Sequence, residues 1–147
     1  SEGVDIIDVG GESTRPGAER VTEAEELVRT IPVIEAIAKS FPNTTVSIDT
    51  TRANVAQEAL KAGATIINDV SGGLADSKMA DLVATTGVKY VVMHWRGSSD
   101  TMQSKATYKD VNSEVIKELL ERVDSLKSAG VLENQIILAR DHERQSK

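Results

Sequence analysis

The sequence has no cysteine, and its aromatic residues are one tryptophan, one phenylalanine and two tyrosines in 147 positions. The first absence excludes disulfides, thiolate nucleophiles and cysteine metal sites, and it fits a reducing compartment, so a cytoplasmic location is expected. The second argues against a base-stacking platform. Positive charge is also short: the net charge is −6 and no long basic run occurs, so nucleic acid is not an expected partner. No apolar run approaches the ~20 residues that cross a bilayer, so no membrane partner is expected. No basic stretch precedes an apolar one near Ser1, so no signal peptide is expected either.

What remains is an ordinary globular composition, 39% hydrophobic and 27% charged, long enough for one domain with a core. Strand-like and helix-like patterns alternate. Short β-branched or apolar runs occur at Asp5–Val9, Thr45–Ile48, Thr65–Ile67, Lys89–Met93 and Gln135–Leu138. Between them lie helical patterns. The first opens on a capping box, Thr22 with Glu25, and buries Leu27, Ile31, Ile34 and Ala38; Pro32 predicts a kink or break inside it. The second runs from Arg52 to Ala62, with Thr51 as its cap and Gly63 as its stop. The third spans about Ser77 to Thr86. The fourth follows a polar loop, Arg96 to about Lys109, and runs from Asp110 as cap to about Ala129, with Val111, Val115, Leu119, Val123 and Leu126 as its stripe.

This alternation predicts an α/β fold with a parallel sheet of about five strands and four intervening helices. Two architectures satisfy it: an open doubly wound sheet, or part of a (β/α)8 barrel. Length favours the open sheet, since a full barrel needs ~250 residues. Both place a site at the C-terminal ends of the strands, and those ends are polar here: Gly10-Gly11-Glu12, Asp49-Thr50, Asn68-Asp69 and Met93-His94. Singly, each reads as a helix cap or a turn. Four in succession point to a polar pocket in which a carboxylate and a carboxamide can read a flat heterocycle.

The segment Asp8-Val-Gly-Gly-Glu-Ser-Thr-Arg-Pro-Gly-Ala18 is the most distinctive stretch. It holds three glycines, a proline, two carboxylates, two hydroxyls and an arginine, which suits a shaped loop over a polar or anionic ligand. Arg15, between Thr14 and Pro16, reads better as an anion contact than as a solvated side chain. Ser13 has no evident base, which argues against a hydrolase. Gly72-Gly73 matches no nucleotide-binding pattern, and a lone His94 beside Trp95 is more often structural than a proton carrier. No cluster has metal-ligand spacing, so no residue is assigned to a metal.

Read together, Ile7-Asp-Val-Gly-Gly-Glu-Ser-Thr-Arg-Pro-Gly17, Ser47-Ile-Asp-Thr50, Ile67-Asn-Asp-Val-Ser-Gly-Gly73 and Val92-Met-His-Trp95 resemble the ordered motifs of the bacterial dihydropteroate synthase family, over residues 1 to about 138. The Ser-Gly-Gly and His-Trp forms resemble the actinobacterial members. The resemblance implies a (β/α)8 barrel of folate biosynthesis that is a sulfonamide target. It joins 4-aminobenzoate to 6-hydroxymethyl-7,8-dihydropterin diphosphate and releases diphosphate with the help of Mg²⁺. It implies that Asp49 and Asn68 bind and polarise the pterin, that Val70 and Met93 wall its pocket, and that Thr14, Arg15 and Pro16 close over the aminobenzoate. It also implies a homodimer.

The sequence departs from the family pattern in ways that bear on activity. The Asn that serves Mg²⁺ and diphosphate belongs to a strand with no counterpart here, and Ala139 stands where the family has a third pterin-binding aspartate, with Asp141 two residues late. The expectation is therefore a partial barrel over residues 1–138 and a divergent polar tail over 139–147, from an incomplete or frameshifted reading frame, that does not by itself catalyse the reaction. The alternatives are a pterin-binding fragment without catalysis and a methyltetrahydrofolate-binding methyltransferase domain, which lacks the Thr14–Gly17 loop. A receiver-like open sheet fits least, because its acidic pocket, threonine and lysine do not fall at the strand ends.

Overall fold

The computed structural model describes residues 6–11, 21–93 and 108–139, and these form one five-stranded parallel sheet. The strands are β1 (Ile6–Gly10), β2 (Thr45–Asp49), β3 (Ile66–Asp69), β4 (Lys89–Met93) and β5 (Ile136–Ala139). The helices among the described residues are α1 (Glu23–Ser40), α2 (Ala53–Ala62), α3 (Met79–Thr86) and α4 (Tyr108–Ser128), with a short 3-10 turn at Glu133–Gln135.

The strand order β1-β2-β3-β4-β5 decides between the two architectures. A doubly wound sheet reverses direction at a switch point and carries helices on both faces. Here every crossover advances the sheet the same way, and right-handed crossovers of that kind put the helices on one face, as in a barrel wall. The pleat then sorts each strand into two sets. Val9, Val46, Ile48, Ile67, Tyr90 and Val92 are buried in one core with Ile34 of α1, Val55, Ala56 and Ala59 of α2, Met79 and Val83 of α3 and Leu126 of α4. The intervening residues belong to the opposite, inward face. There the register aligns Asp8 with Ser47, Gly10 with Asp49, and Asp49 with Asn68. In this sheet β1 and β5 each have one strand neighbour.

Local chemistry explains most element ends. Thr22 is the N-cap of α1, its Oγ1 accepting from the Glu25 N–H at 3.1 Å, and three glutamates follow in the positive first turn. Pro32 does not break α1, which runs unbroken to Ser40. The hydrogen bond it removes lies on the solvent face, where Val28 is 73% exposed and water can serve the freed carbonyl. Leu27, Ile31 and Ala38 are partly buried and Ile34 fully, but so are Glu26 and Thr30, which the apolar pattern passed over.

Thr51 does not cap α2. Arg52 takes the N-cap position without a side-chain capping bond, and the first amide, that of Ala53, donates to Asp76 Oδ2 at 2.8 Å from 23 residues away. Gly63 ends α2 at φ 131°, and a Cβ there would come within 2.8 Å of the Ala38 Cβ, so its missing side chain also lets α1 and α2 approach. The fourth helix starts at Tyr108, so Asp110 lies inside it and not at its cap, and the expected polar loop ends earlier. Leu126 is buried and Leu119 and Val123 partly so, whereas the side chains of Val111 and Val115 lie outside the described residues. Asn68 and Asp69 belong to β3 itself, not to a turn after it. Among the described residues no helix is long and apolar enough to cross a membrane.

Candidate functional site

The inward face becomes polar at the C-terminal strand ends. Asp49 closes β2 and Asn68 stands beside it on β3 as its register partner. Gly10 flanks Asp49 on β1, and a Cβ at Gly10 would sit 3.3 Å from the Asp49 Cβ, so the glycine keeps that side of the carboxylate open. One register step toward the strand N-termini, Ser47 donates its hydroxyl to Asp8 Oδ1, which holds that carboxylate against β2. The result is a row of Asp8, Ser47, Asp49 and Asn68 across three strands.

Asn68 carries the most informative atom. Its Oδ1 is buried and has no hydrogen-bond partner among the described residues. A buried amide oxygen left unmade costs about 1–3 kcal/mol, so such atoms in a native fold want a partner from outside the chain. An acceptor beside a half-buried carboxylate suits a flat ligand edge bearing N–H donors, the chemistry expected from the residue types. Val70 follows in the turn after β3 and is half-buried. Met93 ends β4 in register with Ala139 of β5. Thr14, Arg15 and Pro16 lie outside the described residues, as do Glu12, Ser13 and His94. The structure thus brings Asp49 and Asn68 together, and Val70 follows two residues after Asn68 in the turn that leaves β3.

Two sets of residues were not legible as part of this region. Arg52 donates to Glu26 Oε1 at 2.6 Å and to the Val21 carbonyl at 2.7 Å, and Arg29 donates to the Gly11 carbonyl at 3.0 Å. These bonds tie residues 11 and 21, on either side of the Thr14–Pro16 segment, to α1 and α2. Glu26 is fully buried, and its Oε2 has no partner among the described residues. The other set surrounds Asp69. Burial pushes its carboxyl above the ordinary value, against the pull of hydrogen bonds from Tyr90, Ser71 and Gly73; burial and the Asp69 charge push the Tyr90 hydroxyl up as well. The sequence offered a polar strand end at Asp69, but no periodicity announces that a tyrosine 21 residues later reaches it.

Mg²⁺ is part of what the resemblance implies. Among the described residues no three His, Asp or Glu side chains converge into a group that could hold a metal ion. These residues do not fit a resident metal, and no step below runs through one.

A barrel-type β/α wall that sets an inward carboxylate and carboxamide side by side at adjacent strand ends defines an α/β protein with a candidate polar site at that rim. Residues 1–141 match the family described as pterin binding enzyme, and the chain belongs to that family. It is 50% identical to the dihydropteroate synthase of Mycobacterium leprae over 139 residues, covering 94% of this chain and 48% of that protein. Among solved structures, dihydropteroate synthase from Xanthomonas albilineans with 4-aminobenzoic acid superposes with a TM-score of 0.80 at 39% identity, over 93% of this chain and 47% of the other. The enzyme from Anaplasma phagocytophilum with bound 6-hydroxymethylpterin-monophosphate gives 0.82 at 39% identity, over 92% of this chain and 55% of the other. The chain therefore spans about half the length of the relatives it matches.

Proposed function

We propose that this chain carries the pterin side of a dihydropteroate synthase site. The observation behind the reading is the buried, unpartnered Asn68 Oδ1 in register with Asp49 on the inward face, in a chain of the pterin-binding family. The reaction is the alkylation of 4-aminobenzoate by 6-hydroxymethyl-7,8-dihydropterin diphosphate. The methylene C–O bond breaks and diphosphate leaves with the electron pair. The arylamine nitrogen then forms the new C–N bond and loses its proton.

In this reading Asn68 Oδ1 accepts from a ring N–H of the pterin. Asp49 holds a second donor and stabilises the positive charge that builds on the ring as the leaving group departs. Val70 and Met93 flank the ring, and Thr14, Arg15 and Pro16 contact the aminobenzoate. Mg²⁺ stays what the resemblance implies for the leaving diphosphate, and none of the residues named here is assigned to hold it. A cytoplasmic location and a homodimer complete the proposal.

Calorimetry with 6-hydroxymethylpterin tests the reading. The chain is expected to bind it, and Asp49→Asn to weaken binding at least tenfold. Absence of binding by the unsubstituted chain overturns the reading. With both substrates and Mg²⁺, these 147 residues alone are expected to form no pteroate, since they span about half of their relatives' length; pteroate above a no-protein control refutes that part.

A further inference from the structure

We propose that Asp69 and Tyr90 are positioning residues for the strand-end pocket: from the helix-covered side of the sheet they hold the 69–73 turn and, through it, the placement of Asn68 and Val70. The proposal rests on the pterin reading for its consequence and on the geometry alone for its cause.

Asp69 follows Asn68 in the same strand, so the pleat sends its carboxylate away from the pocket into the core. There it is fully buried, and each of its oxygens accepts twice. Oδ1 takes the Ser71 amide at 2.9 Å and the Ser71 hydroxyl at 2.7 Å; Oδ2 takes the Gly73 amide at 3.1 Å and the Tyr90 hydroxyl at 2.6 Å. With four donors converging on it, Asp69 has no acceptor capacity left for a ligand. The backbone it organises is tight. Gly72 N–H donates to the Asp69 carbonyl at 3.0 Å, Leu74 N–H to the Ser71 carbonyl at 3.1 Å, and Gly72 and Gly73 stand at φ 62° and 94°.

Three of the four donors come from the turn that Asp69 itself begins. The fourth, Tyr90, comes from the neighbouring strand and is the largest fully buried side chain of the core. It ties the turn to the neighbouring strand β4. If packing were the only requirement, an apolar pair of similar size would serve at lower desolvation cost. A buried, fully satisfied carboxylate instead specifies one arrangement of its donors. The residues on either side of it, Asn68 and Val70, inherit that arrangement. Tyr90 shares this face with Ile67 and reaches no inward-face residue, so it acts through Asp69 and not on a ligand.

The test uses the 147-residue chain with Tyr90→Phe, which removes one donor and keeps the ring. Hydrogen exchange of the Ser71 and Gly73 amides is expected to accelerate at least tenfold, with the β2 amides unchanged, and the Asn68 side-chain amide resonance to shift or broaden. Affinity for 6-hydroxymethylpterin is expected to fall about tenfold. A core variant remote from the turn, Val55→Ala, controls for general destabilisation and is expected to leave the affinity unchanged. Unchanged Ser71 and Gly73 exchange in Tyr90→Phe overturns the proposal, whether or not pterin binds. Equal affinity losses in Tyr90→Phe and Val55→Ala also overturn it, by reducing the pair to ordinary core. Absence of pterin binding by the unsubstituted chain overturns the functional reading instead, and the exchange result then decides this proposal alone.

Discussion

Asn68 and Asp69 are neighbours in one strand, and they face opposite problems. Asn68 points into the barrel-type face with a buried acceptor that nothing among the described residues satisfies; Asp69 points into the core with every acceptor site filled. A protein does not keep an unmade buried hydrogen bond for stability. At Asn68 the unmade acceptor faces the strand-end rim, where a ligand can make it. The comparison separates the side chain that waits for a partner from the side chain that holds its neighbour still, and variants at the two positions should therefore fail in different ways.

The largest effect is expected from Asp69→Ala. It strands the Tyr90 hydroxyl, the Ser71 hydroxyl and two amides in the core, and should cost about 3 kcal/mol or more, seen as a lowered urea midpoint. Asn68→Ala should separate the two roles cleanly. Pterin affinity should fall about tenfold while the unfolding midpoint stays level or rises, because the alanine removes an unsatisfied acceptor. A large loss of stability at Asn68 would remove the contrast. Asp76→Ala should cost about 1 kcal/mol by uncapping α2, with pterin affinity unaffected; no change in the midpoint would show that water replaces the cap.

The smallest effect is a pH dependence. The folded-state pKa of Asp69 is raised by burial, so the stability tied to its protonation is fully present below the unfolded value, near 3.8, and is lost as pH rises through the folded one. Between pH 7 and about 4 the midpoint should therefore rise relative to that of Asp69→Asn as the solution is acidified. Parallel curves would show that the four donors outweigh desolvation.

Several features could not be read from spacing. Pro32 predicts a break wherever it falls in a helical pattern, and only its solvent-facing setting makes it harmless. The cap of α2 is supplied by Asp76, across 23 residues, where local chemistry suggested Thr51. Glu26 looks like a first-turn glutamate that complements the helix dipole. It is in fact fully buried and paired with Arg52 from the next unit. In each case the competing influence is a tertiary partner, which no local pattern encodes.

By itself the sequence determined the alternation of strands and helices, the polar C-terminal strand ends and the ordered motifs that carry the family. All of these are local: they depend on propensity, period and turn chemistry within a few residues. Tertiary structure decided three further matters. Consecutive strand order turned an ambiguous β/α alternation into a barrel-type wall. Parallel register set Asp49 beside Asn68 although 19 positions separate their numbers. The pleat, fixed by which face the helices bury, sent Asn68 to the pocket and Asp69 to the core. The physical reason is the two-residue period of a strand: its two sets of side chains can be listed from sequence, but which set faces the core depends on what packs against it.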